Sequence, residues 1–235
     1  MSDRPGILIS FEGGEGVGKS THIRLLAARL EASGYEVLIL REPGGTAIGE
    51  KIRDLLLDPE NTEMDPLTEL LLYEAARAQI VAEHIIPALQ RGVVVLLDRF
   101  TDSTLAYQGY GRDLPLQQVR EANAIGSHGL LPDRTILLVD GLTESLQRAI
   151  ESGADRLEAE GLEFHQRVAN GFQALLELGP ERIRLIPSQH DKRMTAELIV
   201  NQLADLFTDL KEDYELSDDL LASARREQTR KISTL

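Results

Sequence analysis

Five short apolar runs punctuate the chain: Gly6 to Phe11, Val37 to Leu40, Val93 to Leu97, Thr135 to Val139 and Arg182 to Ile186. None alternates apolar with polar residues, so each predicts a strand covered on both faces, as in a parallel sheet between helix layers. The segments between them carry helical spacing. Ile23, Leu26, Ala27 and Leu30 fall at i, i+3, i+4 and i+7, with Gly34 as a stop signal. Phe164, Val168, Phe172 and Leu175 do the same before Gly179-Pro180, as do Val200, Leu203, Ala204 and Phe207 further on. Strands alternating with helices predict right-handed crossovers and a doubly wound α/β sheet. In such sheets ligands bind beyond the carboxyl ends of the strands, so chemistry is expected immediately after each apolar run.

Two stretches depart from this pattern. Glu151 to Glu163 carries five acids with Gly153 and Gly161 and lacks a strong apolar stripe, which fits either a lid, about 148–163, or a solvated connection. From Lys211 onward the chain is polar, acidic first and then basic through Arg225, Arg226, Arg230 and Lys231, and reads as a frayed tail over 211–235. The remaining 1–210 is expected to form a single domain, since 235 residues that are 42% hydrophobic bury one substantial core.

Composition narrows the function classes. Lys plus Arg total 25 against 39 Asp plus Glu, a net charge of −14, which disfavours a nucleic-acid partner unless the cations are gathered in one place. The absence of cysteine removes disulfides, thiolate nucleophiles and cysteine-ligated metals. With neither a leader-like start nor a run of eighteen apolar residues, the expectation is a soluble cytoplasmic protein with no membrane partner.

Directly after the first run, Gly13-Gly14-Glu15-Gly16-Val17-Gly18-Lys19-Ser20, followed by Thr21, fits G-x-x-x-x-G-K-[ST] and opens into the helix periodic from Ile23. The glycines let backbone N–H groups curl toward phosphate oxygens at the positive end of the helix dipole. Lys19 supplies a cation for the β and γ phosphates, and Ser20 a hydroxyl for Mg²⁺. After the third run comes Asp98, where such folds place the carboxylate that holds Mg²⁺ through water. Arg99 follows it. Simple nucleotide hydrolysis has no obvious use for that cation, whereas a second phosphorylated substrate needs a bidentate fork.

Three motifs, Phe11 to Thr21, Arg41-Glu42-Pro43-Gly44-Gly45-Thr46, and Asp98-Arg99-Phe100 with Ser103 to Gly109, closely resemble bacterial thymidylate kinases. The resemblance runs from about Gly6 to Phe207. It implies a P-loop kinase fold with a five-stranded parallel sheet flanked by helices and a small lid. ATP would be the donor, dTMP the acceptor, Mg²⁺ the cofactor, and the assembly a homodimer.

Carried onto this chain, the resemblance gives Glu15 the sugar 3′-hydroxyl and gives Arg41 and Pro43 the loop that closes over the acceptor. Tyr73 would stack on thymine and Arg77 donate to its exocyclic oxygen. The two lie one turn apart on a helix expected over Leu70 to Leu89. Thr104 and Gln108 match positions at the polar edge of the base, and Tyr107 the ring that underlies the deoxyribose and excludes a 2′-hydroxyl. In the lid, Arg148 and Arg156 match positions that neutralise the transferring phosphoryl group, although Ile150 and Ser152 stand where the family places further arginines. Three rivals remain at this stage: a kinase of another nucleoside monophosphate, a P-loop switch ATPase, and a nucleotide-binding scaffold without activity.

Overall fold

The computed structural model describes residues 6–140, 156–157, 159–188 and 191–210. Every apolar run forms a strand: β1 (Ile7–Glu12), β2 (Val37–Arg41), β3 (Val94–Asp98), β4 (Arg134–Val139) and β5 (Ile183–Pro187). The strands pair in parallel in the order β2-β3-β1-β4-β5. β1, β2 and β3 each run one residue past the apolar stretch, onto Glu12, Arg41 and Asp98. The ladder thus delivers three ionisable side chains to the carboxyl edge of the sheet.

The missing alternation in the sequence follows from two buried faces. On one, Ile9, Phe11, Val94, Leu96, Ile136 and Leu138 pack against α1 (Lys19–Ala32) and α8 (Lys192–Asn201) through Ile23, Leu26, Leu30 and Ile199. On the other, Leu8, Val95 and Leu97 meet Ile80 at the end of α3 (Pro66–Ile80), with Val81, Ile85 and Ala88 beyond it. Each fully buried aliphatic side chain stabilises by about 1.5–3 kcal/mol, so the central strands form a stiff platform. The edges differ from the expectation of full cover, since Ile39 on β2 and Leu185 on β5 are exposed.

The helix expected over Leu70 to Leu89 is real but interrupted. α3 passes into a π-helical turn, Val81–Ile85, before α4 (Ile86–Gln90). Pro87 lacks the N–H that a regular ladder requires at that point. A second π-turn, Leu105–Gly111, follows the short α5 (Thr101–Thr104) and carries Tyr107 and Gln108. α2 (Ala47–Leu57) is capped by Thr46, whose hydroxyl accepts from the Gly49 N–H at 2.9 Å. α6 (Leu116–Gly126) packs beside α3, and α7 (Leu162–Leu178) buries Phe164, Val168, Phe172 and Leu175 as its spacing predicts.

Near the end the periodicity fails. α8 stops at Asn201 and the chain turns, so Leu203 and Phe207 are buried while Ala204 is exposed. Of the expected lid, residues 156–157 and 159–163 are described. Arg148 and the tail 211–235 lie outside the described residues. Among the described residues no helix is long and apolar enough to cross a membrane.

Candidate active site

The loop from Gly13 to Gly18 joins β1 to α1, with left-handed or otherwise positive φ at Gly13, Gly16 and Gly18. At Gly13 the geometry requires glycine twice over: φ is +127°, and an added Cβ would lie 2.2 Å from the Leu138 carbonyl. Lys19 folds back over this loop and donates to the carbonyls of Gly13 (3.2 Å) and Gly14 (2.6 Å). Burial, reinforced by the nearby Arg99, lowers the Lys19 pKa, while Glu15, Asp98 and Glu12 act the other way. The amine is thus held by weak neutral acceptors at a place where phosphate oxygens would be stronger partners.

β3 lies beside β1 with Asp98 in register with Phe11. That pairing sets Asp98 against the start of α1, where the Ser20 hydroxyl donates to Asp98 Oδ2 at 2.6 Å. The next residue, Arg99, has φ 72° and its N–H bonds the Phe11 carbonyl at 3.0 Å. This left-handed kink is unusual for a side chain of that size, and it turns the guanidinium back over the phosphate loop. Arg99 Nη1 donates to the Gly13 carbonyl and to Ser103 Oγ, both at 3.1 Å, and Nη2 donates to Glu15. Although burial pushes Glu15 upward, Arg99 and Lys19 outweigh it and hold the carboxyl at about 2.

The Arg99 guanidinium also lies over the Tyr107 ring, 5.1 Å from its centroid. Tyr107 is wedged edge-on between Phe164 and Phe172 of α7, at centroid distances of 6.2 and 6.3 Å. Burial pushes its phenol up to about 12 despite the neighbouring Arg99.

One cavity of about 230 Å³ is lined by Gly16, Gly18, Lys19 and Ser20, by Asp98 and Arg99, and by Tyr73, Arg77, Thr104, Tyr107 and Gln108. Within it Arg77 is almost fully buried. Its Nε and Nη2 donate to Glu42 Oε2 (2.9 and 2.7 Å), and Nη1 donates to Glu74 Oε1 (2.6 Å) and Asn123 Oδ1 (2.7 Å). Over the entrance, Arg41 Nη1 donates to the Pro43 carbonyl (3.1 Å), and its Nη2 donates to both Glu50 oxygens (3.0 and 2.8 Å). The Glu42–Pro43 peptide is cis.

Arg156 stands apart. Its Nε donates to the Leu56 carbonyl at 2.9 Å and its Nη2 to Glu69 Oε2 at 2.5 Å, and it is not among the cavity-lining residues, although the adjoining Leu157 is. The structure therefore brings together Lys19, Ser20, Arg41, Pro43, Tyr73, Arg77, Asp98, Arg99, Thr104, Tyr107 and Gln108, and sets Arg156 against α3.

Several residues escape the sequence reading. Arg53 on α2 lines the cavity and donates to the Pro43 carbonyl at 2.9 Å. It sits two turns beyond the N-cap Thr46, and that cap signal could have found it. Glu69 is fully buried and accepts from Gln108 (2.8 Å), Arg112 (3.2 and 3.0 Å) and Arg156. Glu12 accepts from the Phe100 N–H at 2.8 Å and from the Ser103 hydroxyl. Glu12 directly follows the first apolar run, a position that could have marked it, whereas Glu69 sits in no pattern that distinguishes it from a surface acid.

Comparisons with known proteins point to a single family. A family model described as thymidylate kinase matches residues 11–199. The chain is 47% identical over 214 residues to a thymidylate kinase of Exiguobacterium sibiricum, covering 90% of this chain and 99% of that one. It is 46% identical over 195 residues to one of Caldanaerobacter subterraneus subsp. tengcongensis, covering 83% and 93%. The crystal structure of thymidylate kinase from Ehrlichia chaffeensis superposes with a TM-score of 0.70 at 29% identity, covering 85% of this chain and 99% of that one.

Proposed function

The chain belongs to the thymidylate kinase family, and from that premise we propose that its cavity carries out ATP + dTMP ⇌ ADP + dTDP, the step that commits thymidylate toward dTTP. The observation that carries this reading is the continuity of the cavity: the phosphate loop, Arg99 and Arg77 all line the same space. A hydrolytic switch has no use for the Arg41, Arg77 and Arg99 set.

The acceptor is a phosphate monoester with a second pKa near 6. Its attacking oxygen is already anionic at neutral pH, so the chain needs no general base. Catalysis then rests on alignment and charge neutralisation. Lys19 leaves the Gly13 and Gly14 carbonyls for the donor's β and γ phosphates. Arg99 grips the acceptor phosphate, with Arg41 and Arg53 over the entrance. Glu15, released by Arg99 when a phosphate arrives, is free to accept from the sugar 3′-hydroxyl. The Tyr107 ring bars a 2′-hydroxyl, and Tyr73, Thr104 and Gln108 border the base. Arg148 and Arg156 are the lid candidates for the transferring phosphoryl group, and Arg156 reaches it only by releasing Glu69.

Mg²⁺ fits the donor set. Ser20 and Asp98 offer hard oxygens side by side, and no cluster of three or more His, Cys, Asp or Glu that could hold a metal occurs among the described residues. Ser20 and Asp98 would hold the ion together with water and phosphate ligands, and it would supply charge neutralisation on the donor phosphates. We also read the chain as a cytoplasmic homodimer with one kinase domain over 1–210. Leu67 and Leu71 on α3, Ile48 and Leu55 on α2, and Ile125 on α6 are exposed on three helices packed side by side, which suits a second copy.

A coupled ADP-release assay with ATP against a panel of nucleoside monophosphates tests the reading. Release with dTMP well above all others is expected. Equal release without acceptor would favour a switch ATPase.

A further inference from the structure

Glu42 is a residue whose chemistry the reaction itself does not use. It lies at the mouth of the loop after β2, lines the cavity, and has a side chain only 3% exposed. One oxygen, Oε2, accepts from both Nε and Nη2 of Arg77, while Oε1 is buried without a hydrogen-bond partner among the described residues. The rest of the guanidinium is held from the other side. Glu74 and Asn123 take both protons of Nη1, and Asn123 is itself fixed by donating to the Thr101 carbonyl at 3.0 Å. α6 closes this cage tightly, since a Cβ on Gly126 would meet Glu74 Oε2 at 2.0 Å.

A guanidinium carries five N–H donors. Four are engaged by Glu42, Glu74 and Asn123, which leaves one N–H, on Nη2, for a ligand in the cavity that Arg77 lines. A lone donor in a fixed direction reads a carbonyl on the ring and rejects an amino group at the same place, because two donors would then face each other with neither satisfied. That discrimination depends on the guanidinium being unable to swing.

We propose that Glu42 is a positioning residue for base selection, which orients Arg77 so that its one remaining N–H can donate only to pyrimidines bearing a 4-carbonyl. The proposal rests on the reading of the cavity as a dTMP site. Glu42 takes no part in phosphoryl transfer, so its effect belongs to binding and selectivity rather than turnover.

The test is steady-state kinetics of wild type and Glu42→Gln with dTMP and dCMP. The amide keeps the size of the side chain and removes its charge. The expected result is a KM for dTMP raised about tenfold, kcat within about threefold, and a dTMP-over-dCMP preference reduced at least about fivefold. A KM within twofold of wild type with unchanged base preference would overturn the proposal, as would a kcat loss equal to the KM effect.

Wild type alone gives a second measurement that needs no variant. The charged groups facing Glu42 are Arg77 and Glu74 of α3; burial pushes Glu42 up to about 7 and also raises Glu74. Inhibition by thymidine, which has no phosphate to titrate, should weaken several-fold from pH 8 to pH 6 as the Arg77 anchor takes up a proton. A thymidine Ki that stays flat across that range would count against the assignment. A wild type that fails to phosphorylate dTMP at all would sink the dTMP reading instead, which keeps the two failures apart.

Discussion

Arg156 donates to Glu69 Oε2 at 2.5 Å and to the Leu56 carbonyl at 2.9 Å, so a residue that the sequence places in a lid is tied to the buried flank of α3. Glu69 is completely buried and its pKa is lowered: the Arg112 and Gln108 bonds and then Arg156 overcome the cost of burial. Removing a donor from a buried carboxylate leaves part of its desolvation uncompensated, which costs about 1–3 kcal/mol. Arg156→Ala should lose stability of that order in urea unfolding of the ligand-free protein. A solvent-facing lid arginine would lose nothing measurable, and that outcome would remove the anchoring role.

The role proposed for Arg99 is to align the acceptor phosphate, and bidentate arginine–phosphate contacts are among the strongest polar interactions. Arg99→Ala should lower kcat/KM for dTMP by roughly 3 kcal/mol, more than a hundredfold. Near-normal kcat/KM in that variant would mean that Arg41 and Arg53 carry the phosphate instead.

The proposed sugar gate depends on where the Tyr107 ring sits, and Phe164, Phe172 and Arg99 fix it from three sides. Tyr107→Phe should therefore keep the preference for a deoxyribose, while Tyr107→Ala should let the ribonucleotide in. Comparing dUMP with UMP isolates the 2′-hydroxyl. A selectivity ratio that moves less than about threefold in the alanine variant contradicts a steric gate.

Glu12 gives a pH dependence whose direction can be worked out. Burial, helped by the Asp102 charge, pushes its carboxyl from 4.5 to about 8, against the opposing pull of Ser103, Arg99 and the Phe100 N–H. Between those values the folded state binds a proton that the unfolded state has lost, so stability falls as pH rises from about 5 to 8. Glu42, pushed up to about 7, adds to the same slope. Glu15, held near 2, acts oppositely and only below its ordinary 4.5. Unfolding free energies in urea from pH 5 to 8.5 should show the decline, and Glu12→Gln should flatten it by an amount on the order of a few kcal/mol at pH 8. Parallel curves for the two proteins would show that Glu12 is not the titrating group.

The sheet was legible because apolar runs without alternation have one simple explanation, two covered faces, and Leu8 and Ile9 indeed point into different halves of the core. The phosphate loop was legible because its glycines, Lys19 and Ser20 are contiguous. Other features depend on distant partners that no local pattern marks. Glu69 meets Arg156 across 87 residues and Arg77 meets Asn123 across 46. The break in the long helix was harder to read because Pro87 sits where a proline can either start a helix or interrupt one. The spacing at Ala204 misleads because a helical pattern continues to look regular after the helix has ended at Asn201.

The pairing of Phe11 with Asp98 makes the central ladder a ruler. On the proposed reading, the loop that would take one nucleotide leaves β1 and the residue that would take the other leaves β3, so both roles start from adjacent strands about 4.8 Å apart. Backbone hydrogen bonds hold that spacing far more rigidly than side chains could. On that reading, substitutions at the rim would retune which base enters and leave the strand spacing beneath the two phosphate grips unchanged.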